Sequence, residues 1–197
     1  RARAEPGLTL ASLNDRLAEH DLKFAPDPAW GDKSVLGGAI GNNSTGAHSL
    51  QYGKTDAYIE ECEVVLADGT VTTFGDRSLD AVRECADGEG IEAAVCRAVL
   101  DALDERETIE DAYPDLKRNV AGYNLDRLVA EARGGRVNLA RLLAGSEGTL
   151  AVVTEATVSL EPVPETKAVA LLRYETLGDA MADVEPILEH DPAAVEV

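Results

Sequence analysis

Leu10, Leu13 and Leu17 recur at helical spacing behind Thr9, a residue suited to capping, and predict a short amphipathic helix ending near Asp21. Pro26 and Pro28, within "LKFAPDPAWGD", exclude regular structure and hold the chain extended. The apolar pattern then lapses across "SVLGGAIGNNSTGAHSLQYGKTDAYIEE", residues 34–61. It resumes as two β-rich runs, 59–67 and 70–74, joined by Asp68-Gly69, a dipeptide suited to a hairpin turn. Ile91, Ala94, Val95, Ala98, Val99, Ala102 and Leu103 keep one face of a helix over 91–103. A shorter helix follows in "YNLDRLVAEA", then a loop "RGGRVN", a brief helical run "LARLLAG" and a long strand in "GTLAVVTEATVSLEPVP" that Pro162 and Pro164 end. Beyond them "KAVALLRYE" predicts a strand and "TLGDAMADVEPILEH" a helix broken or kinked at Pro186. The pattern is α+β, with a domain boundary in the proline-rich break at 162–165 that divides residues 1–163 from 164–197.

Composition narrows the class. The 197 residues are 45% hydrophobic and 28% charged, which fits a globular chain, and no apolar run approaches the length of a membrane span. No secretory signal or transit peptide is legible in "RARAEPGLTLASLNDRL". Asp and Glu outnumber Lys and Arg by 37 to 18, and a net charge of -19 would repel a nucleic-acid backbone. The acidic residues are spread through amphipathic segments, as in a carboxylate surface adapted to high salt, and no D-x-[DN]-x-[DN]-G calcium loop is present. The three cysteines, Cys62, Cys85 and Cys96, lie in apolar segments without a C-x-x-C pair. They are expected to be buried thiols in a reducing cytoplasm, with no disulfide framework and no metal site.

Two stretches carry candidate chemistry. In "LGGAIGNNSTG", Gly37, Gly38, Gly41 and Gly46 remove β-carbons where Asn42, Asn43, Ser44 and Thr45 supply hydrogen-bonding groups. With Ser34 capping a helix from Val35, successive backbone N–H groups would form a neutral donor array for an anionic ligand. Neither G-x-x-x-x-G-K-[ST] nor G-x-G-x-x-G after a strand is present, and a flexible or tight turn accounts for the same residues equally well. In "LLAGSEGTLAVVTEATVSL", Gly145 and Gly148 flank Ser146 and Glu147 at a strand entrance, either as a cap and strand start or as a backbone edge at Val152 and Val153 beside a purine ring. His20 and His190 fall near predicted helix C-termini, where a cation is favoured, and His48 is the histidine of the glycine-rich stretch. No catalytic residue is assigned.

Together "EPGLTLASLNDRLAEHDLKFAPDP", "LGGAIGNNSTGAHSLQYGKTDAYIEECEVVLADGTV", "AGYNLDRL" and "LLAGSEGTLAVVTEATVSLEPVP" resemble, in order, the FAD-linked oxidases and dehydrogenases of the vanillyl-alcohol-oxidase (PCMH) type, which include glycolate oxidase, D-lactate dehydrogenase and D-2-hydroxyglutarate dehydrogenase. The resemblance covers the chain apart from the helix at 91–106, and is strongest to large members fused to an iron-sulfur module. It implies that residues 1–163 are the second subdomain of an FAD-binding domain, a mixed or antiparallel sheet flanked by helices, and that 164–197 open an α+β substrate domain. The family's pyrophosphate loop is then expected upstream of Arg1, and its substrate-domain histidines and acidic residues downstream. By position, Pro26, Asp27 and Pro28 would run along the FAD; Gly37, Gly38, Asn42, Asn43, Ser44 and Gly46 would line its pyrophosphate and isoalloxazine. Tyr52 and Gly53 match the family's "YG", and Glu147, Gly148, Val152 and Val153 would lie near ribose and adenine. The implied parent reaction is oxidation of a D-2-hydroxy acid, with electrons passed to an iron-sulfur module or quinone, in the cytoplasm or at the inner face of a membrane. The alternatives are a non-catalytic fragment with an incomplete FAD site, or an oxidase of an aryl alcohol or sugar lactone.

Overall fold

The computed structural model describes residues 1–116 and 118–197. Strand β1 (Ala2–Ala4) leads into helix α1 (Leu10–Leu17), where Thr9 Oγ1 accepts the Ser12 N–H and Leu10, Leu13 and Leu17 are buried. A 3-10 turn, Ala18–His20, closes on Asp21 in the left-handed region at φ 57° before β2 (Leu22–Lys23). Asn14 on α1 accepts from the Phe24 N–H at 2.7 Å and donates to the Phe24 carbonyl at 3.3 Å, which fixes the proline-containing stretch against the helix. Two short helices follow, α2 (Leu36–Gly41) and α3 (Ser49–Tyr52). Strand β3 (Ile59–Val65) turns at Asp68-Gly69, with Gly69 at φ 85°, into β4 (Val71–Phe74). The hairpin predicted at this dipeptide therefore forms, because glycine takes the positive φ without steric penalty.

Next come β5 (Asp76–Ser78), α4 (Leu79–Ala86), α5 (Gly90–Asp104), α6 (Arg106–Ala112), α7 (Leu125–Ala132) and β6 (Arg136–Asn138). After a 3-10 turn at Leu139–Leu143, β7 (Val152–Val158) and β8 (Glu161–Pro162) precede α8 (Leu177–Ala182) and α9 (Val184–Leu188). The main sheet has the order β1-β7-β3-β4, each neighbouring pair antiparallel, and β2-β8 and β5-β6 form two-stranded ribbons. In β3 a register shift between Ile59 and Glu61 offsets the period-two alternation. Ile59, Cys62 and Val64 are consequently all buried while Glu61 and Glu63 stay exposed. The α+β class read from the chain is the class observed, with the core formed by the sheet, α1, α2, α4, α5 and α7.

Several local expectations are corrected. Ser34 does not cap α2: the helix begins at Leu36 with Val35 as its N-cap, and the Ser34 carbonyl accepts the Leu10 N–H. "RGGRVN" is not all loop, since Arg136–Asn138 pairs with Asp76–Ser78. The long strand stops at Val158, and Pro162, predicted to end it, instead sits in β8 against Leu22, where a two-residue edge tolerates a missing donor. "KAVALLRYE" forms no strand among the described residues: Val169 is 96% and Leu171 88% exposed, and β-propensity without a partner strand builds no ladder. The helix after it divides at Asp183, three residues before Pro186. The cysteine reading fails for two of three, because Cys85 and Cys96 are joined as a disulfide with Cα atoms 6.1 Å apart, leaving Cys62 free and buried. Helices α4 and α5 double back on each other, and this brings together residues whose sequence spacing resembled no pair.

Candidate ligand-binding cleft

Helix α2 and the turn at residues 143–149 are stitched backbone to backbone. The Gly145 N–H donates to Ile40 O at 3.1 Å and the Glu147 N–H to Gly41 O at 2.8 Å. Gly145, Glu147 and Gly148 all lie at positive φ (83°, 50° and 77°), and Ser146 Oγ returns to Leu143 O at 2.8 Å, so "GSEGT" is a series of tight turns. Between these stretches lies a cleft of about 250 Å³ with Gly37, Ile40 and Gly41 on one side and Leu143, Ser146, Gly148, Ala151, Val152 and Val153 on the other, and Pro6 at its edge. Of the residues singled out in the sequence, Gly37, Gly41, Ser146, Gly148, Val152 and Val153 line it. Pro6, Ile40, Leu143 and Ala151 were not singled out; a single apolar residue carries no sign of which cavity it will face.

The remaining predicted residues lie outside the lining. Asn43 is fully buried at φ 50°: its Oδ1 accepts the Asp56 N–H at 2.9 Å, and its Nδ2 donates to Asn124 Oδ1 at 3.2 Å. Asn124 in turn donates to Ala144 O at 2.9 Å, so the "YN" of "AGYNLDRL" ties the glycine-rich stretch to the turn. Asn42 is exposed and accepts from Ser44 Oγ at 2.5 Å. Gly46 packs on the extended Pro26-Asp27-Pro28 segment, where a Cβ would stand 1.9 Å from Asp27 O. Asp27 Oδ2 lies 2.5 Å from His48 Nδ1 at the same place. Lys23 Nζ sits 3.9 Å over the Tyr52 ring, and Gly53 O accepts from Thr45 Oγ1 at 2.9 Å. Glu147 is exposed beside the cleft, as is Gly38, where an added Cβ would meet only Val35 Cγ2, at 3.6 Å.

Two of the α2 N–H groups read as a donor array have internal partners. Leu36 N–H donates to Leu8 O at 2.9 Å and Gly37 N–H to Pro6 O at 2.8 Å. Gly37 serves this close approach, since a Cβ there would fall 2.7 Å from Pro6 Cβ. A cation overlooked in the sequence also reaches the stretch: Arg118 Nη2 donates to Gly46 O at 2.8 Å and its Nε to Ser49 Oγ at 2.5 Å. Below it, buried Asp56 pairs through Oδ2 with Arg127 Nη1 at 3.0 Å; Arg127 and Arg141 converge on Glu131. His20 ends the 3-10 turn after α1 and His190 follows α9, both away from the lining of the cleft. The described residues hold no cluster of three metal-ligating side chains and no helix long and apolar enough to cross a membrane.

The cleft suits a flat, largely apolar group. Its walls combine aliphatic side chains with glycines, of which Gly148 leaves its backbone open, since an added Cβ there would meet no atom within 4 Å.

Residues 1–75 match the family of FAD binding domains. The chain is 30% identical to D-2-hydroxyglutarate dehydrogenase of Pseudomonas putida over 197 residues, covering 98% of this chain but 19% of that protein. It is 30% identical to glycolate oxidase subunit GlcD of Bacillus subtilis (95% and 29% covered) and 29% identical to D-lactate dehydrogenase of Archaeoglobus fulgidus (89% and 28%). The chain thus spans between about a fifth and three tenths of these relatives' lengths. Among solved structures, alkyldihydroxyacetonephosphate synthase shares the fold at a TM-score of 0.57 and 18% identity, over 98% of this chain and 26% of that one.

Proposed function

We propose that this chain belongs to the FAD-linked oxidases and dehydrogenases and supplies part of the flavin site of an oxidoreductase acting on a D-2-hydroxy acid, a reading supported by the FAD-binding match over residues 1–75 and by the hydroxy-acid dehydrogenases and oxidase it is similar to. The observation that carries this reading is the junction of α2 with the "GSEGT" turn, which makes one glycine- and aliphatic-lined cleft from two distant stretches. Residues 1–163 are read as the second subdomain of the FAD-binding domain and 164–197 as the opening of a substrate domain. In support, the last buried residue is Val158, and everything beyond it is at least partly exposed.

Bound FAD supplies a two-electron acceptor for the α-hydrogen of the hydroxy acid, whose hydroxyl proton goes to a base. This chain's part is binding and orientation. Ile40, Leu143, Val152 and Val153 offer apolar walls that exclude water from a ring edge, and Gly148, where an added Cβ would meet no atom within 4 Å, lets the backbone lie close to it. Pro26, Asp27, Pro28, Gly38, Asn42, Asn43, Ser44, Gly46, Tyr52, Gly53 and Glu147 are assigned to the rest of the cofactor's surroundings by position in the family. His48 is held through Nδ1 by Asp27 Oδ2, and no catalytic residue is assigned. The electron acceptor is taken to be an iron-sulfur module or quinone, with the protein in the cytoplasm or peripheral to the inner face of the membrane.

The test uses the whole protein that carries this chain. It is expected to hold flavin that bleaches anaerobically on addition of D-2-hydroxyglutarate, D-lactate or glycolate. Ala151→Glu, which puts a carboxylate into the cleft, is expected to abolish flavin retention while leaving the far-ultraviolet circular dichroism unchanged. Full flavin content in the variant would remove the cleft from the cofactor site. Bleaching only by an aryl alcohol or sugar lactone would reassign the substrate, and no bleaching would identify a non-catalytic flavin domain.

We further read the net charge of -19 as halophilic. Self-repulsion among surface carboxylates is screened as the Debye length falls from about 10 Å at 0.1 M salt to about 3 Å at 1 M. The melting temperature is therefore expected to rise steeply with molar KCl, measured by calorimetry; a flat profile would count against salt adaptation.

A further inference from the structure

The two sulfurs of the disulfide occupy unequal surroundings. Cys85, next to last in α4, is half-buried, and Glu92 O is 3.7 Å from its Sγ. Cys96, in the second turn of α5, is fully enclosed, and Arg77 Nη1 stands 4.0 Å from its Sγ. Arg77 is fixed in place: its Nη2 donates to Thr73 O at 3.0 Å and to Glu92 Oε1 at 2.8 Å. A thiol approaching from solvent thus reaches Cys85, and the sulfur released from it lies beside a guanidinium. Disulfide exchange is fastest when the reachable sulfur is attacked and the leaving thiolate is stabilised, and a neighbouring arginine does the second.

We propose that Cys85–Cys96 is a reversible thiol–disulfide site, opened by an external low-molecular-weight thiol of the glutathione or dithiothreitol class attacking Cys85, with Cys96 leaving as the thiolate next to Arg77. The attacking thiolate forms a bond to Cys85 Sγ as the Cys85–Cys96 bond breaks, and the electron pair of that bond goes to Cys96. A second external thiolate then attacks the external sulfur of the mixed disulfide and releases Cys85. The external thiols end as a disulfide, and their two protons end on Cys85 and Cys96. The α4–α5 hairpin persists through the cycle, because Arg97 Nη1 on α5 donates to Ala86 O at 2.6 Å and Gly88 O at 3.3 Å, and Val82, Ala93 and Val99 remain packed. The reduced thiols stay adjacent, ready to re-form the bond when the oxidised external disulfide is in excess. Cys62 is the internal contrast: it is buried in the sheet without a second sulfur, and burial pushes its thiol up to about 12.

The experiment is iodoacetamide labelling of the native chain, read cysteine by cysteine by mass spectrometry across a series of reduced-to-oxidised glutathione ratios. Protein equilibrated with oxidised glutathione is expected to label at none of the three positions while folded and at Cys62 alone once unfolded; after reduction Cys85 should label in the folded protein, and Cys96, enclosed as Cys62 is, should label with Cys62 only on unfolding. Arg77→Gln and Glu92→Gln break the same ion pair but leave opposite charges behind. The first is expected to slow reduction several-fold and the second to speed it, with Arg77→Lys close to wild type and circular dichroism confirming the fold of each. Labelling of Cys85 in the folded protein after oxidised glutathione treatment, or of Cys96 when that protein is unfolded, overturns the proposal. So does a shift of both charge variants in the same direction, which is what a purely structural ion pair would give.

Discussion

Replacing Gly46 by alanine is expected to lower the stability of the chain by about 3 kcal/mol or more, through overpacking that side-chain motion cannot relieve. The new Cβ would stand 1.9 Å from Asp27 O and 2.5 Å from Asp27 C, so one of two backbone segments has to move. Both are constrained: Gly46 O accepts from Arg118, and the stretch before Asp27 is held to α1 through Asn14. The midpoint of urea unfolding measures the loss. Two other glycines calibrate it. Gly69→Ala meets no atom within 4 Å but sits at φ 85°, and should cost about 1–2 kcal/mol for the left-handed backbone alone. Gly38→Ala, in a helix with only an ordinary contact, should stabilise by about 0.5–1 kcal/mol. If Gly46→Ala unfolds no more easily than Gly69→Ala, the approach of the two segments is not what requires glycine.

Asn43→Ala is expected to cost about 3 kcal/mol, from two sources that a second variant separates. Truncation strips partners from the Asp56 N–H and from Asn124 Oδ1, at about 1–3 kcal/mol for a buried polar group left unsatisfied, and places alanine at φ 50°. Asn43→Gly removes the same hydrogen bonds but relieves the backbone, and should recover about 1 kcal/mol of the loss. Both variants should also accelerate hydrogen exchange at the Asp56 amide. Equal stability of the alanine and glycine variants would show that the left-handed backbone contributes nothing here. Protection at Asp56 unchanged from wild type would mean that the asparagine is not its partner.

These two residues mark how much of the site was legible in advance. Gly46 and Asn43 both stood out in the sequence, as a residue that permits close contact and one that offers hydrogen bonds, but the contacts they make in the fold are with the protein itself. Glycine and asparagine signal an unusual backbone, and the signal is the same whether the neighbour is a cofactor or another strand. Gly37 repeats the point, since its N–H and its missing Cβ both serve Pro6. The cleft itself depends on Ile40, Leu143 and Ala151, ordinary apolar residues whose convergence follows from the pairing of α2 with a turn more than a hundred residues later.

From the chain alone came what depends on neighbours along it: the α1 stripe with its threonine cap, the Asp68-Gly69 hairpin, the period of α5, the acidity and the two glycine-rich stretches. These are legible because helical and strand periods and turn dihedrals are set within a few residues. The tertiary structure decided what depends on residues far apart. It paired Arg136–Asn138 and Glu161–Pro162 into ribbons, gave "KAVALLRYE" no partner strand among the described residues, and joined Cys85 to Cys96 across a helix hairpin. It also closed one cleft between "LGGAIG" and "GSEGT", because strand pairing, disulfides and cavities are fixed by distances in space that sequence spacing does not encode.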